Sequence, residues 1–258
     1  MASSGATPLR EVSRAELSLH NSPGDLWIAI GESVYDISIV PSFHPGGEKI
    51  LTYRAGRQVQ DVFKAVHGDS YEVDSVLEQL LIGRLGAPNQ TVSPQWEQVL
   101  DKIVEAQNDL TNHSRFEQRP TGLSAQLSQA PPADSIRNAL DCFGRAWACL
   151  LKGIAPMTGF DGDSLARRLQ QALEGAALRF DKRLAGMYSE VCESPAHCAA
   201  ALREVFDIHE EAIVEIHNAV DRAKRRLASS IDAGYTPEGN ILEDATKAIS
   251  MAIEGMLR

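Results

Sequence analysis

No run of residues in this chain is both apolar and long enough to cross a bilayer. The best, from Ala146 to Phe160, is short and carries Lys152. The N-terminal stretch MASSGATPLREVSRAEL has no apolar core of the length a secretory signal needs. Positive charge is scarce: 25 Lys and Arg against 35 Asp and Glu leave a formal charge of −10, and the pI is near 5.2. That balance argues against non-specific binding to nucleic acid or to anionic membranes. Cysteine is sparse as well. Cys142, Cys149, Cys192 and Cys198, in a long and loop-poor chain, do not make the disulfide framework of a small secreted domain. Also missing are a GxGxxG or flavin-type motif, the histidine clusters of membrane desaturases, and the Glu-x-x-His pair of di-iron bundles. These absences point to a soluble, cytoplasmic protein with no membrane span, no nucleic-acid partner and no built-in reductase.

What is present falls into two unlike parts. After an N-terminal tail (1–12), residues 13–86 are dense in short mixed elements. SRAELSLH predicts a short helix capped by Ser13, with Glu16 placed for a capping box. LWIAIGESVYDIS predicts two strands about a turn at Gly31. Two amphipathic pieces follow, GEKILTYR and RQVQDVFKAV, then His67, then YEVDSVLEQLL and a strand-like IGRL. The pattern is α+β, with little room for a large core of its own.

Residues 87–95, within GAPNQTVSPQ, read as a linker. From 96 to 258 the expectation is an all-α helical bundle domain with a loose segment at 114–133. Ser93 and Pro94 open a helix with the stripe Trp96, Val99, Leu100, Ile103 and Leu110. Four further stripes at three-four spacing run from Ile136 to Leu150, from Leu165 to Met187, from Leu202 to Ile231, and from Ile241 to Met256. Stripes of this kind bury against one another. Cys142 and Cys149, seven apart, read as small core residues on one helical face. His209 reads as a core histidine on its stripe, and His217, about 80° further round the helix, is poorly placed to share a metal with it. Cys192, His197 and Cys198 have zinc-like side chains, but their spacing fits none of the usual zinc knuckles. His20 and His113 read as solvated.

The most informative stretch is SFHPGGEKI, residues 42–50. Proline after His44 disfavours helical backbone at the histidine and holds it extended. Gly46 and Gly47 free the turn to take unusual dihedrals and allow backbone to approach a flat object closely. His67 follows after two short amphipathic segments, also where a helix should end. Two neutral imidazoles projecting from opposite walls suit the two axial positions of a haem iron. Ile50, Leu51 and Phe63, lying between them in sequence, would sandwich the porphyrin.

Six pieces in order carry a family resemblance: WIAI at 27–30, VYDIS at 34–38, HPGG at 44–47, AG at 55–56, F-x-x-x-H from Phe63 to His67, and I-G-x-L at 82–85. Residues 13–86 resemble a cytochrome b5-type haem-binding domain. The resemblance implies a haem b cofactor, with His44 and His67 as the axial iron ligands. It also implies an apolar pocket of Ile30, Val40, Ile50, Leu51, Phe63, Val66 and Val76, beside Gly46 and Gly47. There are departures. The family usually has an aromatic at the position of Val40 and polar, often acidic, residues where Ser42 and Phe43 stand. Pro41 interrupts what is normally a helical turn. The acidic rim residues Glu48, Asp61 and Asp69 are interspersed with Lys49, Arg54, Arg57 and Lys64, so docking of a basic partner is not implied.

An iron with both axial positions filled by protein leaves no site for oxygen or substrate, which points to outer-sphere transfer of single electrons. The expected function is therefore a non-catalytic b-type electron carrier. Its partner would be a reductase or an electron acceptor, and its helical domain would dock that partner or oligomerise. The alternative is a structural or regulatory interaction protein whose haem module senses redox state or haem supply.

Overall fold

A computed structural model describes residues 9–68, 70–114, 132–158, 161–190 and 195–255. It falls into two compact units. The first comprises the chain up to Asn108 together with Leu227–Pro237, and the second comprises Asp109–Arg226 with Glu238–Arg258.

The first unit is built on a mixed sheet. Its strands are β1 (Glu11–Val12), β2 (Asn21–Ser22), β3 (Asp25–Ile30), β4 (Ser33–Asp36), β5 (Arg57–Gln58) and β6 (Leu81–Leu85). They run in the order β1-β6-β4-β3-β2, with β5 paired to β3. The β3–β4 hairpin is the one expected around Gly31: Trp27 pairs with Asp36 and Ile30 with Ser33. The two-residue strands β1, β2 and β5 carry no periodicity of their own and exist through pairing with distant partners. Helix α1 (Arg14–Leu19) is capped as expected, Ser13 Oγ accepting from Glu16 N–H at 2.9 Å. The Glu16 carboxylate pairs with Arg10.

Three short helices follow: α2 (Glu48–Thr52), α3 (Gln60–His67) and α4 (Tyr71–Leu80). A core of Leu26, Ile28, Ile37, Val40, Ala55 and Val59 lies beneath them, with Ile30, Tyr35, Leu51, Phe63 and Leu80 packed on it half-buried. Helix α5 (Pro94–Ser114), which belongs to this unit up to Asn108, starts at the expected proline and buries Trp96, Val99, Leu100, Ile103 and Val104.

Residues 87–95 are fastened rather than free, so composition and packing draw the boundary at different places. Asn89 Nδ2 donates to Ile231 O at 2.8 Å, Thr91 Oγ1 to Gly234 O at 3.2 Å, and Val92 is buried. A polar Pro/Gly-containing segment reads as a linker because its side-chain hydrogen bonds, to residues some 140 positions away, have no local signature.

The second unit holds most of the remaining helices: α6 (Pro132–Thr158), α7 (Gly162–Glu190), α8 (Pro195–Asp232, up to Arg226) and α9 (Asn240–Gly255). Helix α7 packs against α6 and α9. The α6 stripe buries Leu140, Phe143, Trp147 and Leu150, and Trp147 Nε1 donates to Thr246 Oγ1 of α9 at 2.9 Å. The α8 stripe buries Ile213, Ile216 and Val220, and that of α9 buries Ile241, Ala245, Ile249 and Ala252. The side chains of Ile136, Phe180, Leu184, Met187, Leu202, Val205, His209 and Met256, expected on these stripes, lie outside the described residues. So does most of the loose segment at 114–133.

Cysteine is placed otherwise than its spacing suggested. Cys142 is half-buried and Cys149 exposed, because the buried face of α6 is occupied by the larger Phe143, Trp147 and Leu150. His20 is more than a solvated side chain. Its ring stacks on Trp27 at 3.5 Å, and its Nδ1 lies 2.7 Å from Asp25 Oδ1. No helix among the described residues is long and apolar enough to cross a membrane.

Candidate functional site

The two histidines picked out in the sequence face each other. Their ring centres are 6.1 Å apart with the planes inclined at 70°. His44 follows a 3-10 turn at Val40–Ser42, with Pro41 in its first turn, and its backbone N–H donates to Val40 O at 3.0 Å. This is how the chain accommodates Pro41: the ring fixes φ at a helix start, where the missing N–H is not needed. His67 is the last residue of α3, which Gly68 ends in a positive-φ conformation at 58°. The Phe63 ring, one turn earlier, lies 4.8 Å from the His67 ring and sets its tilt.

Gly46 is required by the His44 ring. A Cβ there would lie 2.9 Å from His44 Cε1, 3.1 Å from Nδ1 and 3.4 Å from Ile50 Cγ2. The Gly46 N–H is directed at His44 Nδ1 from 3.2 Å. With Nδ1 against the backbone, Nε2 is the nitrogen left for a metal. Ligation through it would place the ring hydrogen on Nδ1 and give up that long contact.

The walls are apolar and unfinished. Helices α3 and α4 contain no buried residue, although each has an apolar face. Of the seven pocket residues expected, Val40 is buried in the core, and Ile30, Leu51 and Phe63 are half-buried on it. Ile50, Val66 and Val76 stand 43%, 64% and 44% exposed. An amphipathic helix of this length gains its stability from covering its apolar face, so the open apolar side chains by the two histidines, with Ile50 near the His44 turn and Phe63 against His67, have the character of a site for a flat apolar group. Phe43, where the family usually has a polar residue, is 62% exposed. Asp69 lies outside the described residues.

The donor set fits a haem. Metal–nitrogen bonds of about 2 Å on each side, plus about 1 Å from each nitrogen to its ring centre, require imidazole centres about 6 Å apart, and 6.1 Å is found. Apolar side chains stand beside that gap, and Gly46 leaves space for the ring. Elsewhere among the described residues no group of three or more His, Cys, Asp or Glu could hold a metal ion. Cys192 lies outside the described residues, as do the side chains of His197 and Cys198. His217 sits instead near Asp221 and Lys224. Burial holds its pKa below the usual value, with Asp221 opposing and Lys224 reinforcing that shift. Lys224 is fully buried and pairs with Asp221 at 3.1 Å.

The first unit thus brings two imidazoles together beside helices α3 and α4, which bury no residue. Residues 13–86 match the family described as cytochrome b5-like heme/steroid binding domain, so this part of the chain is a cytochrome b5-like domain. Three relatives frame it. A cytochrome b5-like reductase of Gibberella fujikuroi is 46% identical over 245 residues, covering 95% of this chain and 25% of that protein. Cytochrome b5 reductase 4 of Xenopus tropicalis is 36% identical over 109 residues, 42% of this chain and 20% of that one. Cytochrome b5 of Rhizopus stolonifer is 38% identical over 76 residues, 30% of this chain and 57% of that one. The chain thus spans a fifth to a quarter of the two larger relatives. The first alignment takes in nearly the whole chain, so the helical region, in which the sequence shows no family motif, also has a counterpart there.

Proposed function

We propose that the chain is a b-type haem protein carrying single electrons, with His44 and His67 as the two axial ligands. The observation that carries the reading is the facing imidazole pair, spaced as a shared iron requires, beside apolar helix faces that the protein itself does not bury. A haem held this way supplies one-electron iron chemistry with no open coordination position. The chain's own residues do the rest. His44 and His67 fix the iron from both sides, so little rearrangement accompanies a change of charge. Ile30, Val40, Ile50, Leu51, Phe63, Val66 and Val76 exclude water and keep the local dielectric low. The steroid alternative within the family's description needs no pair of confronting imidazoles and leaves this feature unexplained.

The partner is a reductase, or an acceptor fed by one. Supporting this, 95% of the chain aligns within a quarter of a protein named as a cytochrome b5-like reductase. The helical region then docks the module to that partner or to a second copy. The test is to load the full chain with haem and record spectra. Low-spin haem in both redox states, no carbon monoxide adduct and rapid reduction by a reductase are expected. A five-coordinate spectrum, or failure to take up haem, would overturn the reading. Haem-dependent partner binding without useful transfer rates would move it to a sensing role.

A further inference from the structure

Helix α5 has no place in the haem-domain pattern of residues 13–86, yet it grips the segment that follows α2. Asn108 Nδ2 donates to Tyr53 O at 3.2 Å and to Ala55 O at 3.0 Å. Asn21 Nδ2 donates in turn to Asn108 Oδ1 at 2.8 Å and to Gln107 Oε1 at 3.1 Å. All three side chains are buried, Asn108 and Gln107 to within 1% and Asn21 to within 5%. Tyr53 and Ala55 directly follow α2, the helix that carries Ile50 and Leu51 and begins just after the His44 turn. A short helix leaves its last carbonyls without intrahelical donors, and a buried carbonyl needs one. Here the donor comes from a residue 53 to 55 positions away.

The backbone beyond is held as closely. Gly56, at φ 76°, leaves no room for a side chain: a Cβ would meet Asn21 Cβ at 3.0 Å, Val104 Cγ1 at 3.2 Å and Ser18 O at 3.3 Å. Its N–H donates to Trp27 O at 2.7 Å.

We propose that Asn108 is a positioning residue of the haem site: its carboxamide caps α2 from outside the haem-domain pattern and holds the Ile50–Leu51 wall at its working distance from the iron ligands. The inference rests on the proposed haem site, but its mechanical part can be read without haem.

In the full chain, Asn108→Ala removes the hydrogen bonds to the Tyr53 and Ala55 carbonyls and the one accepted from Asn21. Asn108→Asp keeps an acceptor for Asn21 and loses both donors to the carbonyls. Both variants should keep the low-spin spectrum, since neither ligand is touched, and should release haem to apomyoglobin roughly tenfold faster than the parent. Asn89→Ala, which removes a hydrogen bond of the same unit at Ile231 O, should leave that rate unchanged even if it lowers the melting temperature. In the haem-free proteins, hydrogen exchange over residues 48–56 should quicken in both Asn108 variants and not in Asn89→Ala. Equal haem-release rates in parent and Asn108 variants would overturn the proposal, as would an acceleration matched by Asn89→Ala. If the parent takes up no haem, the proposed function falls. The exchange data then decide the mechanical part, and unchanged protection at 48–56 removes it as well.

Discussion

The two units solve the same problem, covering apolar helix faces, in opposite ways. In the second unit the stripe of α6 is covered by the protein itself, with Phe143 and Trp147 fully buried and Trp147 bonded to Thr246. In the first, α3 and α4 bury nothing, and Val66 stands 64% exposed. Helix length does not account for this alone, since α5 in the same unit buries Trp96, Leu100 and Ile103. Helix α3 carries His67 at its end, with Phe63 against its ring. On the proposed function, the apolar surface left uncovered beside the imidazole pair is where a non-protein group would complete the core.

The sharpest way to break the contrast is at the ligands. His44→Ala or His67→Ala should each abolish the low-spin haem spectrum, because one imidazole cannot fill both axial positions. Retention of a bis-histidine spectrum in His67→Ala would make another histidine the ligand. In the second unit the equivalent blow is Trp147→Ala. Removing a fully buried indole and its bond to Thr246 should cost about 3–5 kcal/mol, seen as a lowered helical melting transition. The haem spectrum should not change.

Haem itself should separate the units less violently. A ligand that binds only the folded state adds about 2.7 kcal/mol when its free concentration is a hundred times its Kd. That gain should appear in the transition reported by Trp27 and Trp96 and be absent from the one reported by Trp147, three single-tryptophan variants serving as probes.

The smallest effect tests whether α5 belongs to the first unit. Burial raises the Asp101 carboxyl above its ordinary 3.8, against the pull of Arg14 and Arg57 and with the help of Glu97 and Glu105. A raised carboxyl pKa contributes stability that is present below about 3.8 and lost as the pH rises through the folded value. Asp101→Asn should therefore raise the melting temperature of the first unit modestly at pH 7, and the advantage should vanish below pH 4. No pH dependence in the difference would place Asp101 away from the half-buried Arg14 and Arg57.

Much of this was legible in the sequence wherever the cause is local. Pro45 and Gly46 beside His44, the F-x-x-x-H spacing, the Ser13 cap and the Gly31 turn each act within a few residues, and each appears where expected. Ile50, Leu51 and Phe63 were singled out from their place between the histidines, whereas Val66 and Val76 entered only through the family resemblance, since by themselves they look like ordinary exposed or core valines. What stayed hidden is held by contacts that leave no periodic trace in the sequence. The Asn21–Asn108 bond, the tether of Asn89 to Ile231 and the stacking of His20 on Trp27 join residues whose pairing no periodicity announces. The extent of the first unit was hidden for the same reason: α5 reads as the opening of the helical region until Asn108 is seen to hold α2.

The most direct measurement is residue-resolved hydrogen exchange on the full chain with and without haem. Protection should rise over α2, α3 and α4, in residues 48–80, and stay constant over α6 and α9. Haem-independent exchange at 48–80, or protection appearing in α6 and α9 instead, would contradict the claim that haem completes the core of the first unit.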